Sequence, residues 1–400
     1  MNILIYSVSQ IENFGGPSLV NGLDEILAGV FPNSKAVCLD HLIQNKMDIE
    51  DNKIIRLLIP NKIPDKYKFI LNALSYRLFK KTLFAPCEVF EKLVKSDMVV
   101  NATGIQFCDN FVNVKPNIIK SFIPSISLID IGAKMLGKKL VSYTKSYGPI
   151  NHERTRRSLK LHGKYFYDLL LCREKLSQRV LTENGIKPQK TFATYDSGFM
   201  MKSKEFNVES ISKEKYVIFS ISFQIIRQWK DNDINYIQLM QELIKHILAQ
   251  YKYNIILLPN EFKNAYDDMA VAKDIMKEFE NNARVKIFDI RSVSPKNVKY
   301  LISKSEILVG SRYHSIIASL SSSVPTLVIG WHYKYEEVVN KFQLDEYLIK
   351  IKDCTPKLLI EKYDNMEAKK TEIKNSLAQI NIEVKNNIIQ TGLQLKKLVE

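Results

Sequence analysis

An arginine and a histidine, Arg312 and His314, follow directly on a short apolar run that ends at Gly310. Such a run, Ile307 to Val309, is typical of a buried parallel strand. Because Arg312 and His314 are two residues apart, both side chains can face one ligand while Tyr313 points away. A guanidinium binds carboxylate or phosphate through paired hydrogen bonds, and an imidazolium can donate a proton. The pair predicts an anion-binding site that includes an acid.

Two more basic groups, His332 and Lys334, follow the next predicted strand, Thr326 to Ile329. Open α/β sheets bind ligands at the carboxyl ends of their strands, where a helix N-terminus offers N–H groups and a positive dipole end. We therefore expect these groups to converge with Arg312 on one anion. A capping arginine, a packed loop histidine and a solvated lysine are the structural alternatives.

Composition indicates a globular protein of two domains. The chain has 400 residues, 46% of them hydrophobic, and a formal net charge of +15. Its lysines are scattered and form no basic block, so we expect no nucleic-acid partner. The charge fits an anionic small molecule, an anionic membrane face or, on charge alone, RNA, although biased genome composition alone could produce such a charge.

The cysteines and the apolar segments predict a cytoplasmic protein. Five widely spaced cysteines show no CxxC or Cys/His ligand spacing, so we expect reduced thiols and no metal site. The start, MNILIYSVS, lacks the basic region of a signal peptide. The longest apolar segment, residues 118–140, is interrupted by charged residues and is not a membrane span.

Short apolar runs alternate with helical patterns along the chain, which predicts parallel sheets covered by helices. A charged, apolar-poor stretch at residues 202–215 is the best linker candidate. We therefore expect two doubly wound, Rossmann-like domains facing a cleft, an α/β architecture of the GT-B-like kind. The predicted boundaries are residues 1–202 for the N-terminal domain, 212–375 for the C-terminal domain and 376–400 for a helical tail.

Two stretches of the N-terminal half have more than one interpretation. Gly15 and Gly16 follow the first predicted strand without forming GxGxxG, so they indicate a tight turn or, alternatively, close approach of a ligand. Residues 60–95 predict a basic helix whose apolar stripe faces the core, with a membrane or acceptor contact as the alternative. That stripe comprises Tyr67, Ile70, Leu71, Leu74, Leu78 and Phe79.

The block from Gly310 to Lys334, GSRYHSIIASLSSSVPTLVIGWHYK, resembles the C-terminal signature of the polysaccharide pyruvyl transferase family. That signature is G-x-R-x-H, a small-residue helix, a V-P strand and a lysine. Looser, ordered similarities cover most of residues 1 to 350, namely NFGGPSLVNGL, NATGIQFCDN, SYTKSYGPI, CREKLSQRVLTENGI and YDSGF in the first domain and LLPNEFKNAYDD and SPKNVKYLISKSEILVGSRYH in the second. The chain departs from the family after the strand Val217 to Ser222, where Phe223-Gln224 stands in place of a frequent arginine and Arg227 is the nearest one.

The resemblance implies a ketal-forming enzyme. Members of the family transfer the enolpyruvyl part of phosphoenolpyruvate to two sugar hydroxyls, with no metal or further cofactor expected. By this resemblance His314 is the general acid, with Arg312 beside it in the catalytic pair. The expected donor-binding residues are Arg312, Lys334, Arg227 and Ser311. The expected acceptor-binding residues, on the N-terminal domain, are Asn13, Gly16, Asp109 and Tyr147.

The expected acceptor is a glycan or lipid-linked saccharide of a cell-surface polysaccharide, which would allow peripheral contact with the inner face of the membrane. A GT-B glycosyltransferase that uses a nucleotide sugar is the alternative enzyme, with Glu336 or Glu337 as the carboxylate that reads the ribose. A non-enzymatic two-domain ligand-binding protein is a further alternative, but such periplasmic proteins need an export signal.

Overall fold

The computed structural model describes residues 1–8, 13–49, 51–109, 127–209, 212–228, 235–262, 267–332 and 334–400. The chain divides into two compact units. Unit 1 comprises Met1–Ile11, Leu19–Ser197 and Asn386–Glu400, and unit 2 comprises Glu12–Ser18 and Gly198–Lys385.

Unit 1 is built on a nine-stranded sheet within the described residues. Its strands are β1 (Asn2–Tyr6), β2 (Lys35–Asp40), β3 (Met47–Asp48), β4 (Ile55–Pro60), β5 (Met98–Asn101), β6 (Ile105–Gln106), β7 (Lys139–Tyr147), β8 (Leu169–Cys172) and β9 (Thr191–Ala193). The order is β3-β4-β2-β1-β5-β7-β8-β9, with β6 beside β7. All pairs are parallel except β3 with β4, and strands such as β5 are buried along their whole length, as apolar runs between two helix layers must be.

The helices of unit 1 cover this sheet and enclose a core that includes Leu4, Phe90, Val99, Leu140 and Leu170. They are α2 (Lys66–Phe79), α3 (Glu88–Lys95), α4 (Leu128–Met135), α5 (Glu153–Leu161) and α6 (Lys175–Glu183). Helix α1 (Gly15–Val30) begins with residues of unit 2 and continues in unit 1.

Unit 2 has a six-stranded, all-parallel sheet with the order β12-β11-β10-β13-β14-β15. Its strands are β10 (Tyr216–Ile221), β11 (Asn254–Pro259), β12 (Val285–Ile287), β13 (Ile307–Gly310), β14 (Thr326–Gly330) and β15 (Leu348–Lys350). After β10 the chain adds β11 and β12 on one side of that strand, and it then adds β13, β14 and β15 on the other side. Ligands bind at this kind of switch point in doubly wound sheets.

The helices of unit 2 follow the predicted alternation. They are α7 (Phe223–Gln228), α8 (Tyr236–Gln250), α9 (Asp268–Met276), α10 (Pro295–Ser303), α11 (Tyr313–Ser321), α12 (Lys334–Lys341), α13 (Pro356–Ala368) and α14 (Lys370–Val399). Ser294 caps α10 in a capping box with Asn297, and Pro295 is its first residue, as the Ser-Pro pair predicts. Both units are thus doubly wound α/β, and this fold class is confirmed.

The division of the chain differs from the predicted boundaries. Unit 2 begins at Gly198, before the charged stretch that predicted a linker. That stretch is fixed to α10, because Lys299 donates to the backbone oxygen of Met201 at 2.6 Å and Asn297 donates to that of Lys204 at 2.8 Å. The predicted tail belongs to the single helix α14, whose residues divide between the units after Lys385.

The predicted core stripe of α2 is wrong. Tyr67, Leu71, Leu74, Leu78 and Phe79 are all exposed. The inward face of α2 consists of Phe69, Asn72, Ala73 and Ser75 instead. Two of these are polar because they hold the following segment: Asn72 bonds the backbone of Phe84 in both directions, and Ser75 donates to the carbonyl of Lys81.

None of the helices in the described ranges is both long and apolar enough to cross a membrane. The five cysteines are all free thiols.

Buried Lys299 makes the stability of unit 2 depend on pH. Burial, aided by the charge of Lys385, lowers the pKa of Lys299 from 10.5 to about 7. Between these values the unfolded chain binds the proton and the folded chain does not, so stability rises with pH by up to about 1.4 kcal/mol per pH unit. We expect Lys299→Met to lose this slope in chemical denaturation measured from pH 7 to pH 10.5.

Lys357 is exposed, so Lys357→Met is the matched control and should keep the wild-type dependence of stability on pH. Parallel wild-type and Lys299→Met stability curves over that range would show that Lys299 stays charged in the fold.

Candidate functional site

The residues that follow β10, β11 and β13 in unit 2 form the candidate site. They are Ser222-Phe223, Asn260-Glu261 and Ser311-Arg312. Since all three strands are parallel and adjacent, these residues meet at the switch point of the sheet.

Arg312 lies between two carboxylates. Its Nη1 is 2.6 Å from Oε2 of Glu261, and its Nη2 binds Oδ1 of Asp268. The side chains of Arg312 and Glu261 are 15% and 19% exposed, whereas that of Asp268 is fully buried. Burial alone would lower the pKa of Arg312, but the two carboxylates raise it above its usual value. The guanidinium is therefore a fixed positive charge at the start of α11.

Asp268 links the strand ends to one another. Its Oδ1 accepts the N–H of Phe223 at 2.8 Å, and its Oδ2 accepts the N–H groups of Asn260 and Glu261, each at 3.0 Å. These residues follow β10 and β11, while Arg312 follows β13. One carboxylate thus holds three loops in register, a role that the sequence does not reveal because Asp268 simply follows Asp267 at the start of a helix.

Gln224 reaches this cluster, and Arg227 does not. Nε2 of Gln224 lies 3.3 Å from Oε2 of Glu261, the oxygen that also binds Arg312. Arg227 is exposed in the last turn of α7, and among the described residues no contact joins it to Arg312. Arg227 is the arginine that follows β10 most closely in sequence, but Gln224 is the residue of this segment that contacts Glu261.

His314 packs against the first residue of α1. A Cβ placed on Gly15 would lie 2.5 Å from Nδ1 of His314, which is closer than real Cβ contacts allow. Gly15 therefore makes room for the imidazole, and no larger residue fits without displacing it. This accounts for one of the two glycines in the NFGG stretch, whose role the sequence left open.

The loop before α1 is part of unit 2. Phe14 donates to the carbonyl of Asn260 at 3.0 Å, and Asn13 forms an antiparallel bridge with Glu261. The side-chain oxygen of Asn13 accepts the N–H of Gly16 at 2.9 Å, which satisfies one N–H at the start of α1. Asn13 and Gly16, expected on the N-terminal domain, therefore lie in unit 2 beside the loop that carries Glu261.

Ser311 is a buried anchor of the loop. It is 1% exposed, and its hydroxyl accepts from the Tyr236 hydroxyl at 2.9 Å. Its carbonyl accepts from Trp331 at 3.3 Å and from Tyr335 at 3.1 Å. Three aromatic donors thus fix the residue that precedes Arg312.

Lys334 lies among aromatic rings. Its Nζ is 4.9 Å from the ring centre of Tyr313, 5.4 Å from that of Trp331 and 5.5 Å from that of Tyr335. Cation–π attraction holds an ammonium in such a position. Lys334 therefore contacts Tyr313, the residue that separates Arg312 and His314 in the chain.

His332 is not a proton donor at neutral pH. Burial and, to a lesser extent, the charge of Lys334 lower the pKa of His332 to about 4. Its Nδ1 accepts the backbone N–H of Lys334 at 3.4 Å. His332 is therefore neutral, and it helps to shape the loop.

Unit 1 contains a second group of buried charges, formed by motifs that the sequence resemblance singled out. Arg173 pairs with Asp196 at 2.9 Å, and both side chains are almost fully buried. Lys145 is fully buried and donates to Gln106 at 2.6 Å, and burial lowers its pKa well below the usual value. These four residues come from separate motifs and lie near the carboxyl ends of β6, β7, β8 and β9.

The two remaining predicted residues, Tyr147 and Asp109, also lie in unit 1. Tyr147 is 1% exposed, its ring stacks on Phe107, and its hydroxyl bonds that of Ser142, so it is a core residue. Oδ2 of Asp109 accepts the N–H groups of Asn151 and His152 before α5. Its buried Oδ1 has no hydrogen-bond partner among the described residues.

Comparison with known proteins identifies the family. A family model for polysaccharide pyruvyl transferases matches residues 13–333. The chain belongs to this family. In this pyruvyl transferase family member the matched range begins at the Asn13 loop and includes Glu261, Asp268 and Arg312, which form the Arg312 cluster. A search of curated protein sequences found no significant match.

Solved structures with a similar fold include an epimerase, a protein bound to UDP-glucose and a glycosyltransferase. A UDP-GlcNAc 2-epimerase from Neisseria meningitidis bound to UDP-GlcNAc is 12% identical with a TM-score of 0.59, covering 100% of this chain and 99% of that one. The HepE protein of Anabaena in complex with UDP-glucose is 12% identical with a TM-score of 0.58, covering 99% of both chains. A glycosyltransferase from Rickettsia africae is 10% identical with a TM-score of 0.58, covering 100% of this chain and 98% of that one. At these identities the likeness shows the GT-B-like fold alone.

The contact between Gly15 and His314 can be tested by adding one methyl group. We expect Gly15→Ala to push the imidazole aside and to lower turnover of the transferase by about tenfold to a hundredfold. Gly29→Ala is the matched control in the same helix, because a Cβ there meets no atom within 4 Å. It should leave turnover unchanged. Wild-type turnover in Gly15→Ala would contradict a role for the position of His314.

Proposed function

We propose that the protein transfers the pyruvyl group of phosphoenolpyruvate to two hydroxyls of a saccharide, forming a pyruvate ketal. The observation that carries this proposal is the Arg312 cluster with His314 at the switch point of unit 2, inside the range that matches the pyruvyl transferase family. The saccharide would be part of a cell-surface polysaccharide or its lipid-linked precursor.

One N–H group of Arg312 can still donate a hydrogen bond to the anion. Its Nη1 and Nη2 bind the two carboxylates, while its buried Nε has no hydrogen-bond partner among the described residues. Leaving such an N–H unpaired costs on the order of 1–3 kcal/mol, which a carboxylate or phosphate oxygen of the donor would recover. Lys334 and the N-terminal end of α11 add positive potential beside it.

His314 would supply the proton that makes the donor electrophilic. Protonation of the methylene carbon of phosphoenolpyruvate turns its neighbouring carbon into an oxocarbenium-like centre. One sugar hydroxyl attacks that carbon, the bond to the phosphate oxygen breaks, and the second hydroxyl closes the ring. One hydroxyl proton restores the imidazolium and the other leaves with phosphate.

Of the acceptor-binding residues expected from the sequence, we retain Asp109, because a sugar hydroxyl could donate to its partnerless buried oxygen Oδ1. Tyr147 we assign to the core, and Asn13 and Gly16 to the support of the loop beside Glu261. The donor residues are proposed to be Arg312, Lys334 and the backbone at Ser311, with Arg227 left out because it is exposed.

A nucleotide-sugar transferase is the second candidate, and one cavity of unit 2 favours it. A cavity of about 260 Å³ at the ends of β14 and β15 is lined by residues that include Trp331, Glu336 and Lys350. Glu336 pairs with Lys350 at 2.9 Å, and its carboxylate could accept from a ribose hydroxyl. The structural neighbours that hold UDP-sugars give this alternative its weight.

The activity test separates the two functions. The protein is incubated with phosphoenolpyruvate and candidate glycans, phosphate release is followed, and the product mass is measured. We expect phosphate to appear together with a glycan that has gained one pyruvate ketal. Turnover of a nucleotide sugar, with no use of phosphoenolpyruvate by any acceptor, would replace the proposal with the second candidate.

The acid can be tested with two histidines of the same unit. We expect His314→Gln to lower turnover by about a hundredfold or more, because a missing general acid costs that much, with thermal stability nearly unchanged. His332→Gln should retain most of its activity, since His332 is already neutral at pH 7. Calorimetry with phosphoenolpyruvate should show that His314→Gln still binds the donor. Near wild-type turnover in His314→Gln would refute the assignment of the acid.

A further inference from the structure

Helix α2 presents an apolar stripe to solvent. Tyr67, Leu71, Leu74 and Leu78 are 80%, 42%, 45% and 69% exposed. They are spaced by four, three and four residues, so they lie along one face of the helix. Three more exposed side chains extend this apolar surface, namely Phe79 at the end of α2 and Leu83 and Phe84 in the segment after it. We name these seven residues the α2 surface.

The α2 surface sits on a firmly held helix. Asp65 caps the start of α2 by accepting the N–H groups of Tyr67 and Lys68, and Lys80 closes its end in a left-handed conformation. The opposite face packs into the core through Phe69, whose ring meets that of Phe90 edge-on at 5.4 Å. Because the fold already uses one face, the outward stripe is not needed to hold the helix in place.

Basic residues surround the stripe. Between residues 62 and 84 the chain has six basic residues and one acidic residue, Asp65, which gives a net charge of +5. All six basic residues are exposed, namely Lys62, Lys66, Lys68, Arg77, Lys80 and Lys81. Arg77 also donates to the carbonyl of Met135 at 3.1 Å, so its charge is held beside α2.

We propose that the α2 surface docks on an anionic lipid bilayer, with α2 lying in the plane of the interface. Leucine and aromatic side chains on one face of a helix flanked by lysines and arginine are the pattern of an interfacial helix. The leucines and Phe79 enter the boundary of the acyl chains, and the basic residues meet the lipid phosphates. This inference does not depend on the proposed function.

Charge decides against a second copy of the chain as the occupant. Two α2 surfaces in contact would bring two clusters of +5 together, and like charges across an interface oppose association. An anionic bilayer offers the opposite charge together with an apolar layer. It therefore satisfies both features of this surface at once.

The test is flotation of the full-length protein with vesicles, without donor or acceptor. Vesicles of phosphatidylglycerol and phosphatidylcholine in equal parts are compared with vesicles of phosphatidylcholine alone. We expect binding to the anionic vesicles only. Leu71→Gln with Leu78→Gln keeps both charge and helix propensity, and it should weaken binding by at least about tenfold.

Two further variants complete the design. Lys80→Gln with Lys81→Gln should weaken binding and reduce its dependence on salt. Ile382→Gln with Ile389→Gln removes two apolar residues of α14 that are 57% and 46% exposed, and it should bind like the wild type. Thermal denaturation of each variant shows that the fold is retained.

Three outcomes would overturn the proposal. The first is absence of binding to anionic vesicles. The second is equal binding by the Leu71→Gln, Leu78→Gln variant, which would mean that scattered lysines attract the bilayer without α2. The third is a concentration-dependent dimer of the wild type that this variant loses, in the absence of vesicle binding, which would make the α2 surface an interface between two copies.

Discussion

The Arg312–Asp268 ion pair is the interaction on which the candidate site depends. Asp268 is fully buried, and removing an ionised carboxylate from water costs several kcal/mol unless charge and hydrogen bonds replace the solvent. Arg312 supplies the charge, and the N–H groups of Phe223, Asn260 and Glu261 supply the hydrogen bonds. Loss of either partner would leave the other as an uncompensated buried charge. The loops after β10, β11 and β13 therefore keep their arrangement only while the pair is intact.

The loops that the Arg312–Asp268 pair holds also affect the position of His314. Asn260, which donates its N–H to Asp268, also accepts the N–H of Phe14 through its carbonyl, and Phe14 immediately precedes Gly15. The start of α1 is thus attached to the same loop that Asp268 organises, and Gly15 then bounds the space of His314. These backbone contacts therefore help to set the position of the imidazole, which also meets the ring of Tyr313 edge-on at 5.5 Å.

Sequence patterns predicted the strands and helices that local periodicity defines. They did not show which way each face points or which distant residues meet. The parallel strands were predictable because runs such as Ile307 to Val309 are apolar on both faces. The stripe of α2 was also visible, but periodicity shows only that Tyr67, Leu71 and Leu74 share a face and not which way that face points. The partners of Arg312 could not be predicted, because Glu261 and Asp268 lie 51 and 44 residues away along the chain. The role of Gly15 required knowledge of the atoms that a Cβ would meet.

The residues after β10, Phe223-Gln224, bring no positive charge to Glu261. Gln224 contacts Glu261 without neutralising it, so the charges of Arg312 and Lys334 are balanced by those of Glu261 and Asp268. The side-chain charges of the cluster then sum to zero before His314 is counted. Attraction for an anionic donor would then come from the Nε–H of Arg312 and from the N–H groups at the N-terminal end of α11. Donor binding would thus depend on hydrogen-bond donors of the loop after β13, and His314 would contribute the proton.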